Sequence, residues 1–172
     1  MNGEWFAQRE ELYKELLLDC YRLAQTSPDP STQNAAFILD EVSAEVLMSD
    51  INRFPDGVSE SSERWERPAK YQYIEHAERN VVYGCAKEGI KTNGKIMLVC
   101  WAACTDCARA IIQSGVKTLI THRAGDNHTW EESIKVADQM MKEAGIQLIF
   151  ITGKLDLTNE IQVLRNGNLF SP

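Results

Sequence analysis

Apolar residues recur at helical spacing over residues 5–25. Phe6, Leu12, Leu16, Leu17, Cys20 and Leu23, with Glu10, Glu11, Lys14 and Glu15 between them, predict an amphipathic helix. Ser27-Pro28-Asp29-Pro30 ends it, because proline lacks the amide N–H and biases its predecessor away from helix. Residues 35–39 then read as a short buried strand, Asp40-Glu41 as a turn and residues 45–51 as its hairpin partner. Residues 52–69 carry Pro55, Gly57, three serines and Pro68 and read as a loop. Loops longer than about 12–15 residues are usually functional or disordered.

The second half alternates. Residues 70–87 predict a helix capped at Gly89, and residues 96–100 a strand after an Asn93-Gly94 turn. Residues 104–114 predict a helix ending at Gly115, 117–121 a strand, 130–144 a helix ending at Gly145, and 146–151 a strand. Three helix-then-strand units in succession imply an α/β fold with a partly parallel sheet. The tail, 153–172, reads as peripheral: 157–165 as a short helix and Asn166-Gly167 onward as loose chain. No internal repeat or low-complexity tract interrupts the pattern.

At 172 residues the chain has the length of one well-buried domain, and residues 1–172 are read as such. No apolar run approaches the ~20 residues a bilayer-spanning helix needs. The start shows no basic segment followed by an apolar one, so a cytoplasmic location is expected. The net charge of −7 disfavours broad attraction to nucleic acid but allows a local basic pocket for one phosphate. Five cysteines at uneven spacing do not make a disulfide framework and fit a reducing compartment.

The chemistry concentrates in His76-Ala77-Glu78 and Cys104-Thr105-Asp106-Cys107. One imidazole and two thiols fill three positions of a tetrahedral zinc, and a fourth position open to water distinguishes a catalytic zinc from a structural one. Cys104 and Cys107, three apart, share one face of a helix's first turn, where free N–H groups favour thiolates. Each part alone has a plainer reading. A lone C-x-x-C can be a redox pair or half of a structural zinc site, and a lone histidine is usually a satisfied polar residue. A structural site, however, wants a fourth protein ligand. No second C-x-x-C exists, and Cys20, Cys85 and Cys100 read as core positions. Glu78 beside His76 is placed to move protons. H-x-E followed by C-x-x-C is the pattern of zinc-dependent nucleobase deaminases.

Beyond the metal pattern, the sequence resembles the deoxycytidylate (dCMP) deaminases of the cytidine deaminase superfamily. Ser27-Pro28-Asp29-Pro30-Ser31-Thr32 followed by Ala35-Ala36 is similar to the family's D-P-S-T segment, and Asn52-Arg53-Phe54-Pro55 to its N-G-F-P loop. Lys70-Tyr71-Gln72-Tyr73-Ile74 resembles its K-Y-P-Y run, and Ala108 through Gly115 its A-K-x-I-I-Q-x-G helix. The resemblance implies a three-layer α/β/α fold with a five-stranded mixed sheet. It implies zinc on His76, Cys104 and Cys107, Glu78 as proton shuttle, and a homo-oligomer. Some members hold a second zinc through Cys and His in the long loop, but residues 52–75 contain neither, so one zinc per chain is expected. By the same matching, Asn52 would contact the sugar, Ala77 would offer a backbone contact near the reacting carbon, and Tyr73 would sit near the pyrimidine. The implied reaction is zinc-dependent hydrolysis of dCMP to dUMP.

The chain departs from the family at Ala103, where the family has proline, and at Gln33 and Ala35, where it often has a basic residue and glycine. Asp50 and Arg53 replace glycines of a turn that takes part in dCTP and dTTP control in the family. For the phosphate, Arg64, Arg67, Lys70 and His122-Arg123 are candidates. Arg123 is favoured because ligands in open α/β folds sit at strand C-terminal ends. His128 is read as surface, and Trp65 as a lid or interface residue. Three rivals stand beside this reading: a nucleic-acid or tRNA-editing deaminase, a deaminase of a free nucleoside or 5-substituted dCMP, and a zinc-stabilised binding module.

Overall fold

A computed structural model of the chain describes residues 4–123, 130–156, 158 and 160–172. His128 and the predicted helical positions 157 and 159 lie outside them. The first helical stretch is two elements, α1 (Glu4–Ala7) and α2 (Glu10–Ala24). The buried face of α2 is Tyr13, Leu17, Cys20, Tyr21 and Ala24, a stripe at positions i, i+4, i+7, i+8 and i+11. The expected stripe ran through Leu12, which instead is 39% exposed. Aromatic residues decide the rotation: Tyr13 stacks on Phe6 at 5.6 Å and takes Trp5 edge-on at 5.7 Å.

Strands β1 (Ala35–Leu39) and β2 (Val46–Ile51) form the expected hairpin. The long loop that follows holds one short helix, α3 (Ser62–Trp65). The predicted helix over 70–87 is broken into α4 (Lys70–Tyr73) and α5 (Ala77–Glu88). Between them the backbone is extended, and Glu75 forms an antiparallel bridge with Arg53 through two backbone hydrogen bonds of 3.2 and 2.9 Å. Ile74 goes into the interior at the break. Gly89 then closes α5 at φ +70°, a left-handed cap that a side chain would strain.

The remainder alternates as predicted: β3 (Ile96–Val99), α6 (Thr105–Gln113), β4 (Thr118–Arg123), α7 (Glu131–Glu143) and β5 (Gln147–Thr152). The sheet order is β2-β1-β3-β4-β5, with β1 antiparallel to both neighbours and β3, β4 and β5 mutually parallel. Alternate residues feed two cores. Phe37, Leu39, Leu98 and Ile120 pack under α2, whereas Ala36, Ile38, Met97 and Leu119 pack under α5, α6 and α7 with Val81, Ile111 and Met141. The layers are α/β/α. No helix among the described residues is long and apolar enough to cross a membrane.

The tail differs from expectation. In place of a helix ending at Arg165, β6 (Val163–Arg165) and β7 (Asn168–Phe170) pair as an antiparallel hairpin. Asn166 and Gly167 at its tip both have positive φ, +52° and +81°, as a two-residue I′ turn demands. Asn-Gly is therefore the turn of an ordered hairpin here.

Candidate active site

The break before α5 changes what His76 is. It does not lie within a helix but is the N-cap of α5, with φ −79° and ψ 150°. Cys104 occupies the same position on α6, with φ −79° and ψ 174°, and Cys107 is three residues inside. Two helix N-termini thus converge on one point, and their partial positive charge favours thiolate ligands. His76 Nδ1 lies 3.7 Å from Cys104 Sγ and 3.5 Å from Cys107 Sγ, and the two sulfurs are 3.6 Å apart. Tetrahedral zinc with Zn–S of about 2.3 Å and Zn–N of about 2.0–2.1 Å sets its ligands about 3.5–3.8 Å apart. The three residues fit that ion. Among the described residues the cluster comprises these three and no carboxylate.

The electrostatics suit the same purpose. The hydrogen bond with Cys107 and the imidazole of His76 hold the Cys104 thiol down to about 3. The same shared hydrogen bond, and burial, push the Cys107 thiol up. Arg79, which sequence reasoning overlooked, reaches Cys107 Sγ at 3.5 Å and pairs with Glu75 through its Nε, bringing a cation to the sulfurs. Burial opposes a charge on His76, but the hydrogen bond to Cys104 and the nearby Glu78 outweigh it, so its pKa is raised.

Glu78 is 2% exposed, and burial raises its pKa above the usual carboxylate range. Its Oε2 accepts a 3.2 Å hydrogen bond from Asn34 Nδ2. Asn34 Oδ1 is buried and has no partner among the described residues. Both residues line a cleft together with His76, Cys104, Asn52, Trp101 and Trp130. Asn34 gave no signal in the sequence, because its partner lies 44 residues away.

The other expected site residues fall into two groups. Asn52 and Ala77 are brought together: Asn52 Oδ1 accepts the Ala77 N–H at 2.9 Å, and Asn52 Nδ2 donates to Thr32 O at 3.1 Å. Asn52 lines the cleft while its amide ties the start of α5 to the loop before β1. Tyr73 and Arg123 are not brought to the cleft. Tyr73 packs 5.7 Å from Phe54 with the Arg64 guanidinium 4.6 Å above its ring, and Tyr71 lines the cleft in its place. Arg123, at the end of β4, is drawn to α7 and β5: it bonds both carboxylate oxygens of Asp138, at 2.9 and 2.7 Å, and stacks over Phe150 at 4.4 Å.

Of the remaining candidates, Trp65 stacks on Phe54 at 4.2 Å. His122 is buried, with Nδ1 2.9 Å from the Tyr21 hydroxyl and Nε2 2.7 Å from Gly153 O. Arg67 and Lys70 do line the cleft, as does Arg165. Lys70 bonds Asp29 Oδ1 at 2.6 Å and Ser31 Oγ at 2.5 Å.

The chain is similar to known proteins in sequence and in fold. The family described as the cytidine and deoxycytidylate deaminase zinc-binding region matches residues 10–123. A deoxycytidylate deaminase of Mus musculus is 32% identical over 137 residues, 76% of this chain and 74% of its own. An uncharacterised deaminase of Aliivibrio fischeri is 30% identical over 127 residues, 73% of this chain and 83% of its own. Among solved structures, the dCMP deaminase of cyanophage S-TIM5 in complex with dCMP and dUMP superposes with a TM-score of 0.62 at 17% identity. That match covers 84% of this chain and 97% of the phage chain.

Proposed function

The chain belongs to the cytidine and deoxycytidylate deaminase family, and on that footing we propose that it hydrolyses the 4-amino group of dCMP, giving dUMP and ammonia. The observation that carries the reading is the placement of a buried carboxyl, Glu78, beside a three-ligand cluster in a cleft. His76, Cys104 and Cys107 would hold zinc, whose Lewis acidity makes water a nucleophile at neutral pH.

Glu78 does the proton work. Its carboxylate takes a proton from the attacking water and passes it to N3 of the ring. It then takes the remaining hydroxyl proton of the adduct at C4 and passes it to the amine nitrogen, which departs as ammonia while the C4 carbonyl forms. Burial favours the neutral form, which suits a group that must hold a proton between these steps. Asn34 fixes the orientation of the carboxyl through Oε2. Asn52 fixes where α5 begins, and hence where His76 and Glu78 stand. Trp101 and Trp130 give the cleft apolar walls.

The acidic balance of the chain supports a small nucleotide over nucleic acid as substrate. The family resemblance supports a homo-oligomer, and the reading as a cytoplasmic enzyme of one domain rests on the sequence pattern. The test is ammonia release from the zinc-loaded protein given deoxycytidine, dCMP, dCTP, 5-methyl-dCMP and a cytosine oligonucleotide. Turnover of dCMP above all others is expected. Turnover of the oligonucleotide alone would make this an editing enzyme, and turnover of none would leave a zinc-stabilised binding module.

A further inference from the structure

Arg64 and Arg123 lie off the cleft, held by Ser59 O and Tyr73 and by Asp138, and Lys70, which lines it, holds the buried Asp29. That leaves the question of what cation meets a substrate phosphate. The β6–β7 hairpin lies beyond residues 10–123, yet its tip reaches the cleft: Arg165 and Asn166 line the same walls as His76 and Glu78. The hairpin is firmly docked. Gln33 exchanges two 2.9 Å hydrogen bonds with Leu164, one through its backbone N–H and one through its side-chain oxygen. Gly167 N–H donates to Ser31 O at 2.7 Å and Asn166 N–H to Thr32 Oγ1 at 3.2 Å. The docking surface is thus the segment that follows the buried Asp29.

We infer that Arg165, presented by this hairpin, is the residue that recognises the 5′-phosphate and sets the preference for a nucleotide over a nucleoside. The inference rests on the dCMP reading above. The Arg165 guanidinium packs against an edge-to-face aromatic pair: it lies 4.9 Å from the Trp101 ring centre and 5.6 Å from that of Phe170, and the two rings are 5.0 Å apart. Stacking engages the faces of a guanidinium, and its five N–H donors run along the edge, in the fork that suits phosphate oxygens. Trp101 is itself anchored by donating Nε1–H to Gln33 O at 2.8 Å, so one residue, Gln33, positions both the ring and the hairpin. Burial lowers the pKa of Arg165, so an anion arriving beside it relieves a cost. Arg67, in the same lining with its guanidinium 5.9 Å from the Tyr71 ring, is placed to assist. The two carboxylates in the lining do not oppose the anion equally. Asp29 is neutralised by Lys70, and Glu78 belongs to the metal end.

The experiment compares kcat/KM for dCMP and deoxycytidine in the zinc-loaded protein and in Arg165→Met, which keeps an apolar stem against Trp101. Losing a charge-assisted phosphate contact predicts a fall of about 10- to 100-fold for dCMP, mostly in KM, and a far smaller change for deoxycytidine. A parallel loss for both substrates would make Arg165 a structural residue and overturn the inference, as would undiminished dCMP turnover. Should Arg165→Met fail to fold by circular dichroism, Arg165→Lys carries the test. It keeps the charge and loses the fork, so the dCMP-to-deoxycytidine ratio must drop, and an unchanged ratio overturns the inference. A native protein that turns over no cytosine nucleotide refutes the substrate reading itself. A native protein that prefers dCMP, with variants that share the preference, refutes only the role of Arg165.

Discussion

Glu78 and Asn34 set the chemistry at the scale of single residues. Glu78→Gln keeps shape and hydrogen-bonding capacity but cannot ferry a proton. General acid–base catalysis is worth about 10²–10⁴-fold, so kcat should fall by that order. Zinc content, measured by elemental analysis, should stay at the native level, since Glu78 is not in the ligand cluster. Loss of the metal together with activity would make Glu78 structural. Asn34→Ala removes the 3.2 Å donor to Glu78 Oε2. Hydrogen bonds to charged groups contribute about 1.5–3 kcal/mol, so kcat should fall by about 10- to 100-fold with zinc retained. The sequence makes Glu78 visible and hides Asn34 for a simple reason. Metal-ligand and shuttle spacings are local, whereas Asn34 meets Glu78 only after β1 has entered the sheet.

Among the elements, those with a clear period were legible: β1, β2 and the alternating run from β3 to β5 lie where apolar runs and glycine stops place them. Two others were not. The break between α4 and α5 carries no proline or glycine. It is imposed by tertiary contacts, the Arg53–Glu75 bridge and the burial of Ile74, which local propensity cannot foresee. The β6–β7 strands are only three residues each and depend on Gln33 and Thr32 far upstream for their bonds. Arg165, for the same reason, was missed as a site residue.

The contact of α4 with the loop before β1 is a buried ion pair, Lys70–Asp29, with side chains 6% and 1% exposed. Burial lowers the Lys70 pKa, and Asp29 partly restores it. Lys70→Met leaves the carboxylate buried without its cation, which costs about 3–5 kcal/mol. The lower end is expected, because Asp29 Oδ1 also accepts the backbone N–H groups of Ser31 and Thr32. Urea unfolding checks this. The double variant Asp29→Asn with Lys70→Met should recover part of the loss, and strict additivity of the two would show that the pair is not coupled.

At the scale of the whole molecule, His122 ties together layers that are far apart in sequence. It sits on β4, meets the Tyr21 hydroxyl on α2 and reaches Gly153 O just past β5. A carbonyl only accepts, so Nε2 carries the proton and the neutral ring accepts the Tyr21 hydroxyl at Nδ1. The same hydroxyl also donates to Cys100 O at 3.0 Å, so the two acceptors share its one proton. Burial is the main force lowering the His122 pKa below its usual value. The Gly153 contact opposes it, and the Arg165 charge adds to it. The unfolded chain therefore binds the proton more readily than the folded one. Stability rises with pH where the unfolded state holds more protons, so the contribution of His122 is complete above about pH 6.5. It is lost as pH falls from there toward the depressed folded value, at up to about 1.4 kcal/mol per pH unit for a one-proton difference. Carboxylates with ordinary pKa values are already ionised in that window. Urea midpoints of the zinc-loaded protein between pH 7.5 and 5.5 should therefore decline, and those of His122→Gln should decline less. Equal slopes for the two proteins would mean that His122 is charged in the folded state. Tyr21 would then donate to Cys100 O while accepting from the imidazolium, and the layers would be joined by a buried cation instead of a neutral ring.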